Sequence, residues 1–401
     1  MDKKKLMQNY ADILVHIGVN LQKGQGLHVT VPVEGAELAR AVSKSAYDAG
    51  ASSVIVRFTD EVLEQYNGAF ADQDQLFENY VEKEYAALTG LSEKEFAFLR
   101  LYAPDFSEEA ADSGDRQEKW AVRTDAISRQ LRNHTMDHGW TCIGTCPTVR
   151  WARHVFPELP EDEALDKLWE MLFHITRADS DDPVGGWTRH SDGIVARGIQ
   201  MTDLAFDELH IVGPGTDLHV GLIPSHIWGG GRFTNNHGVP AVPNIPTEEL
   251  ASTPDRTKTR GVVSSVRPLV FQGEIIDGFH IRFENGKAVE WSAEKGQEAL
   301  TRLITHDEGS CYLGEVAVVP SDGLIGSTNV VYYCTLLDEN ATCHLALGAG
   351  FTMHVRDSRY NNLVNTSSVH EDFMIGNTYL RIFGVKDGVE TPVFQYGKWV
   401  I

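Results

Sequence analysis

Histidine and carboxylate side chains recur in four short segments in the second half of the chain, and their types suit metal binding. His370 and Asp372 stand two residues apart in the segment Ser368 to Gly376. On an extended chain the two side chains share one face, whereas on a helix they would diverge by about 200°. A metal-ligand pair therefore requires a strand at this point. The alternative is an edge strand with a polar face.

Glu315 is the only carboxylate in the strand-like run Cys311 to Pro320, CYLGEVAVVP. An ionised carboxylate buried alone in an apolar strand costs several kcal/mol unless a cation or a set of donors compensates it. This position therefore predicts a charge partner. The alternative is that Glu315 faces solvent from a half-buried strand.

The other two segments supply a histidine and a pair of adjacent carboxylates. His344 follows a polar turn in Asp338 to Gly348, and taken alone this pattern favours a hydrogen-bonded core or edge histidine over a ligand. Glu248 and Glu249 follow a proline-constrained loop, and only one of two adjacent residues in an extended chain faces a given site. The alternative there is the acidic start of a helix after Thr247.

Together the four segments offer two imidazoles and three carboxylates, a ligand set that suits divalent Zn, Co or Mn. Two divalent ions bring four positive charges and the carboxylates three negative charges, so one bridging hydroxide would complete the balance. Two metals about 3.5–4 Å apart polarise a carbonyl and hold a deprotonated water near neutral pH. We therefore expect amide hydrolysis by a metal-activated hydroxide, with Glu315 as general base or as a ligand of mixed role.

The elements that must position these residues begin with a βαβ unit. Leu27 to Val33 and Ser52 to Phe58 have the composition of strands, and the amphipathic segment Glu34 to Ala49 between them predicts a helix. The short connection predicts parallel strands with a right-handed crossover. The first half is therefore predicted to be an α/β domain.

The second half of the chain has a different pattern of predicted secondary structure. Apolar residues at three- and four-residue spacing predict a helix in 161–178, and the acidic segment 179–186, which contains Gly and Pro, marks a domain boundary. The sequence thus predicts an N-terminal α/β domain, 1–185, and a β-rich α+β C-terminal catalytic domain, 186–401. Turn residues separate the predicted β runs, which are Glu208 to Val212, Asp217 to Gly221, Gly261 to Val266, Phe279 to Phe283 and Ala288 to Ser292.

Composition narrows the function classes. The 401 residues carry 35 Lys and Arg against 57 Asp and Glu, a net charge of −22, which argues against nucleic acid and anionic membranes as partners. No run approaches the ~20 apolar residues of a membrane span. Five cysteines without CxxC spacing favour reduced thiols. We expect a cytoplasmic protein.

In this order, the four segments resemble the thermophilic metalloaminopeptidase family, the group of aminopeptidase T and aminopeptidase S. The family's motifs are a PTEE loop, a GE-x-A strand before a proline, an ENA-x-CH-x-A-x-G strand and an H-x-DFMIG segment. The resemblance extends over essentially the whole chain. The motifs lie at Pro246 to Glu249, Gly314 to Pro320, Glu339 to Gly348 and His370 to Gly376.

The resemblance implies an aminopeptidase that releases N-terminal amino acids from peptides with a free N-terminus. It also implies a homodimer of two-domain subunits. Glu249 is preferred over Glu248 because its spacing to Glu315 is similar to that of the family. The dinuclear metal ligands implied by the resemblance are Glu249, Glu315, His344, His370 and Asp372.

One position departs from the family. Seven residues after His344 the family usually has a tyrosine near the metals, whereas this chain has Phe351. A missing oxyanion donor would cost about 2–4 kcal/mol of transition-state stabilisation. Tyr360 or a water could substitute, and a shifted alignment is another explanation. Two alternative functions follow: a metallohydrolase acting on another small amide, and a low-activity peptide-binding homologue.

Overall fold

The computed structural model describes residues 1–92, 96–104, 106, 116, 119–120, 122–124, 126–128, 131, 135, 141–235 and 237–401. The chain forms two compact units: Met1–Arg189 with Arg232–Ile245, and His190–Gly231 with Pro246–Ile401. Residues 232–245 thus join the first unit, although the predicted boundary at 185 places them in the second domain. The division at 185 stays a prediction about domains.

A parallel four-stranded sheet forms the centre of the first unit, in the order β2-β1-β3-β4. Its strands are β1 (Gly26–Pro32), β2 (Ser53–Thr59), β3 (Ala97–Tyr102) and β4 (Thr141–Thr145). Helix α2 (Ala36–Asp48) connects β1 to β2, which pair in parallel from Gly26↔Ser53 to Pro32↔Thr59. The predicted βαβ unit is confirmed.

Helices precede, separate and follow the strands of this sheet along the chain. Pro160 precedes the helix predicted near 161–178, which runs from Glu161 to Ile175 and has three acidic residues in its first turn, where the helix dipole favours them. The other helices are α1 (Lys3–Ile13), α3 (Glu61–Phe70), α4 (Gln73–Leu76), α5 (Glu82–Ser92) and α6 (Val149–Val155), with Glu161–Ile175 as α7. Helix α8 (Pro183–Leu204) begins inside the segment 179–186, so part of that predicted turn is helical.

An antiparallel eight-stranded sheet dominates the second unit, in the order β14-β13-β10-β6-β5-β18-β19-β20. Leu209, Ile211, Leu218 and Val220 lie on its fully buried face. The predicted β runs are confirmed within one or two residues. The eight strands are β5 (Glu208–Gly213), β6 (Thr216–Gly221), β10 (Arg260–Ser264), β13 (His280–Glu284), β14 (Lys287–Ser292), β18 (Arg381–Lys386), β19 (Val389–Gln395) and β20 (Lys398–Trp399).

Shorter elements complete the two units. The first unit contains the strand pair β7 (Phe233–Thr234) and β8 (Pro240–Ala241), and the second contains β11 (Leu269–Phe271) and β12 (Glu274–Ile276). Helices α9 (Gln297–Ile304), α10 (Leu324–Ser327) and α11 (Thr335–Asp338) also belong to the second unit. Among the described residues, no helix is long and apolar enough to span a bilayer.

A second antiparallel sheet of the second unit carries the predicted site residues. Its order is β17-β16-β15-β9, with β9 (Leu250–Ser252), β15 (Leu313–Val318), β16 (His344–Gly348) and β17 (His370–Met374). Every residue of β15 and β16 is buried, because these strands occupy the middle of the sheet. The expectation that His370 and Asp372 require a strand is therefore met.

Candidate metal centre

Cross-strand register brings four of the predicted residues to one face of the small sheet. Glu315 on β15 and Asp372 on β17 both lie opposite Ala346 of β16. His344 lies two residues from Ala346 on β16, and His370 lies two residues from Asp372 on β17. Because side chains alternate along a strand, all four project from the same face. The methyl group of Ala346 between the two carboxylates leaves space at the centre of the face.

The five predicted residues converge within a few ångströms. His344 Nε2 lies 3.3 Å from Glu249 Oε2 and 3.9 Å from Glu315 Oε1. His370 Nε2 lies 3.5 Å from Glu315 Oε2 and 3.5 Å from Asp372 Oδ2. Two groups have ligand atoms within 4.8 Å of one another: Glu249, Glu315 and His344, and Glu315, His370 and Asp372. Glu315 belongs to both groups.

Burial distinguishes these residues from ordinary surface groups. Glu315 is only 7% exposed, so the alternative that it faces solvent is wrong. His344 is 1% exposed and lies among carboxylates. Strand β17 is an edge strand, as one alternative proposed, yet Asp372 on it is buried.

The two adjacent loop carboxylates separate as expected for an extended segment. Glu249 faces His344, whereas the Glu248 carboxylate lies 3.6 Å from His190 Nε2. The backbone N–H of Glu248 donates to Asn340 Oδ1 at 2.7 Å, which ties the loop to the turn before β16. Glu249 is thus the loop carboxylate that belongs to the cluster, and the alternative of a helix after Thr247 is not found, because this segment is irregular before β9.

Backbone carbonyls orient both imidazoles. His370 Nδ1 lies 2.7 Å from Ala349 O, and His344 Nδ1 lies 3.3 Å from Thr342 O. An N–H that donates to a carbonyl at Nδ1 leaves Nε2 available as the coordinating atom. In both residues it is Nε2 that faces the carboxylates.

Burial and the close approach of carboxylates and imidazoles shift the pKa values of the clustered residues. Burial lowers the pKa of His370, but Asp372 and Glu315 outweigh it and raise the pKa to about 10. Burial likewise opposes charge on His344, yet Glu249 and Asp372 raise its pKa to about 9. Burial raises the pKa of Glu315, and the charges of Asp372 and Glu249 raise it further.

These residues fit divalent metal ions. Asp372 Oδ1 is buried and has no hydrogen-bond partner among the described residues. Among the residues that the structure describes, histidines are the only basic groups within 4 Å of the carboxylates of Glu249, Glu315 and Asp372. A buried, mixed set of imidazole nitrogen and carboxylate oxygen suits Zn, Co or Mn. A bound cation would use the unpaired oxygen and offset the excess negative charge.

Sequence reasoning missed one carboxyl group at this site. Glu339 is buried, and its carboxyl group hydrogen-bonds to Asp372. Burial raises the pKa of Glu339 well above its ordinary value, and the charges of Asp372 and Glu249 raise it further. The residue opens the ENA-x-CH motif, but it precedes β16 in a 3-10 turn, so strand alternation could not place it. It supports Asp372 from outside the five-residue set.

Phe351 lies beside the cluster. Its ring centroid is 4.9 Å from that of His370, and it also contacts the His354 ring at 6.3 Å. Tyr360 packs instead against the small apolar group of Ile223, Val355 and Val364. The position at which the family has a tyrosine therefore contacts a predicted ligand.

A buried cluster of imidazoles and carboxylates on a β-sheet defines the class as a metal-dependent hydrolase. The family model described as thermophilic metalloprotease (M29) matches residues 3–399. The chain belongs to this family, and the predicted family is confirmed.

Relatives and a solved structure agree with this assignment. Aminopeptidase 2 of Geobacillus stearothermophilus is 37% identical over 99% of this chain and 98% of its own length. Aminopeptidase T of Thermus thermophilus is 36% identical over 99% of both chains. The structure of wild-type AmpT from Thermus thermophilus matches with a TM-score of 0.89 and 34% identity, covering 100% of both chains. The predicted α/β class and the prediction of a metalloaminopeptidase, a hydrolase, are confirmed.

Proposed function

We propose that this aminopeptidase uses a dinuclear centre held by Glu249, Glu315, His344, His370 and Asp372. The observation that carries the proposal is that Glu315 belongs to both three-residue groups, so that its two carboxylate oxygens face different histidines. Two divalent ions bound there would polarise the scissile carbonyl and lower the pKa of a water molecule. Zn, Co and Mn all fit these ligands.

The chain's own residues would position the substrate and manage protons. Three converging carboxylates offer an ion-pair or hydrogen-bond partner for a peptide's free terminal ammonium or amine, and an internal amide offers no comparable group. Glu315 is our candidate for a ligand that also accepts a proton, because its buried carboxylate lies between the two groups of proposed ligands. Glu315→Gln keeps the shape of the side chain and removes this acceptor, so we expect it to abolish hydrolysis. Normal turnover in that variant would remove Glu315 from the mechanism.

Selectivity for a free N-terminus is the most direct test of the activity. Identical peptides with free and N-acetylated termini are compared by kcat/KM. We expect the acetylated peptide to be cleaved at least about 100-fold more slowly, since its terminus can neither ion-pair nor coordinate. Comparable rates for the two peptides would contradict an exopeptidase.

Phe351 supports a second candidate. Because its ring contacts His370, the missing phenolic hydroxyl changes the polarity beside a proposed ligand. The alternative is therefore a metallohydrolase acting on another small amide, or a low-activity peptide-binding homologue. A panel of aminoacyl-anilides and acyl-amides separates the first alternative from an aminopeptidase. Stoichiometric metal without turnover on either panel would favour the second.

Further proposals concern the oligomeric state, the division into domains and the location of the protein. We propose that the chain is a homodimer of two-domain subunits divided near 185, which light scattering and limited proteolysis would test. We also propose a cytoplasmic location. It is supported by the five cysteines, all of which are buried free thiols.

A further inference from the structure

A second cluster of imidazoles and carboxylates lies on the β5–β6 hairpin. One ligand atom from each of His210, Asp217 and His219 lies within 4.8 Å of the other two. We infer that this hairpin cluster binds a zinc-type divalent cation at a site separate from the candidate metal centre. The inference does not depend on the proposed function, because none of the three residues belongs to the catalytic set.

The register of the hairpin places the three side chains on one face. His210 and His219 are directly opposite each other, and Asp217 lies opposite Val212, two residue pairs nearer the turn. Leu209 and Ile211 of β5 and Leu218 and Val220 of β6 are fully buried on the other face. The two imidazole rings stack with centroids 4.1 Å apart and an angle of 7° between their planes. Both histidines are therefore presented side by side, away from the core.

Carboxylates lie beside the Nδ1 atoms of both imidazoles and can fix their tautomers. Glu390 Oε1 lies 2.6 Å from His210 Nδ1, and Glu208 Oε1 lies 3.0 Å from His219 Nδ1. Arg260 fixes Glu208 in turn through two hydrogen bonds, of 2.7 and 3.0 Å. A carboxylate that accepts from Nδ1–H sets the tautomer and makes Nε2 the coordinating nitrogen. The hairpin cluster repeats this arrangement twice.

His210 and Asp217 reach the separation of two zinc ligands after a small movement, and the His219 ring must turn out of its stack with His210 to point a nitrogen lone pair at the same ion. His210 Nε2 lies 2.9 Å from Asp217 Oδ1. Two ligands of a tetrahedral zinc ion, each about 2.0–2.1 Å from the metal, are separated by roughly 3.3 Å. Asp217 can supply the required few tenths of an ångström, because its side chain is 71% exposed. Water would be the fourth ligand.

The charge of the surroundings favours a cation of charge +2. With neutral imidazoles, the carboxylates of Asp217, Glu208 and Glu390 and the guanidinium of Arg260 sum to −2. In the metal-free protein, the nitrogens of His210 hydrogen-bond to two of these carboxylates. A divalent ion would take the place of the contact between His210 Nε2 and Asp217.

Zinc stoichiometry tests this site. Wild-type protein and the His210→Ala and Asp217→Asn variants are dialysed against the same excess of free Zn²⁺ at mildly alkaline pH. Bound zinc per chain is then counted by elemental mass spectrometry. We expect each variant to bind one zinc fewer than the wild type, with unchanged cleavage of an aminoacyl-anilide. Asp217→Asn is the safer variant for folding, since this side chain is largely exposed.

The controls make a negative result decisive. His306→Ala removes an exposed histidine outside the hairpin cluster and should bind as much zinc as the wild type. Glu390→Gln should weaken zinc binding at this site by about 10–100-fold, because it removes one of the orienting carboxylates. Equal zinc content in wild type, His210→Ala and Asp217→Asn would overturn the inference and leave the cluster as an ion-pair network.

Discussion

The neighbouring residues Glu248 and Glu249 provide a matched pair for testing the candidate metal centre. Both are glutamates of one loop, but only Glu249 reaches the cluster, at 3.3 Å from His344 Nε2. Glu249→Gln preserves the shape of the side chain and removes its charge. The proposed ion held by Glu249, Glu315 and His344 would then keep only Glu315 and His344 of these three ligands.

The size of the effect follows from these positions. Loss of an orienting residue outside the ligand set costs about 10–100-fold in metal affinity. Loss of a ligand should cost at least the upper limit, about 100-fold or ~2.7 kcal/mol. Glu248→Gln should change metal affinity by less than about tenfold, since its carboxylate lies beside His190 and the backbone bond to Asn340 is retained.

Equilibrium dialysis with Zn²⁺ and kcat/KM on an aminoacyl-anilide measure both effects. We expect Glu249→Gln to lose metal affinity and activity together, while Glu248→Gln remains close to the wild type in both. Equal losses in the two variants, or a greater loss in Glu248→Gln, would refute the assignment of Glu249 as the ligand.

Two other predictions concern Phe351 and stability in acid. Phe351→Tyr should raise kcat by about 30–1,000-fold if a hydroxyl beside His370 supplies an oxyanion donor, and an unchanged kcat would show that the position is inert. Burial, assisted by Arg57, lowers the pKa of His28 from 6.5 to about 4, so its contribution to stability is present above pH 6.5 and lost as the pH falls towards 4. This loss amounts to ~3 kcal/mol. Between pH 7 and 4 the free energy of unfolding should therefore fall by ~3 kcal/mol less in His28→Gln than in the wild type. Equal losses in the two proteins would contradict the assignment.

Local patterns predicted much of the fold. The βαβ unit follows from alternating apolar runs and an amphipathic helix, and the β runs of the second half are bounded by turn residues that the sequence shows directly. A single boundary at 185 places the segment 232–245 in the second domain, but it belongs to the first unit, because the contacts that place it join residues distant in sequence. Helix α8 begins amid Gly and Pro residues that, read locally, indicate a turn.

The candidate site depended on information of two kinds. Alternation along a strand correctly required an extended backbone for His370 and Asp372, but no local pattern could pair β15 with β16 and β17. The family resemblance supplied that long-range information. Glu339 was missed because a 3-10 turn, which follows neither the strand nor the helix period, brings its carboxyl group to Asp372.

The central claim is that two cations share Glu315, and anomalous diffraction at the absorption edge of the bound metal tests it most directly. The account predicts two anomalous peaks in the small sheet of the second unit. One would be coordinated by Glu249 and His344, the other by His370 and Asp372, with Glu315 between them. A single peak there, or none in crystals grown with saturating metal, would contradict the dinuclear centre.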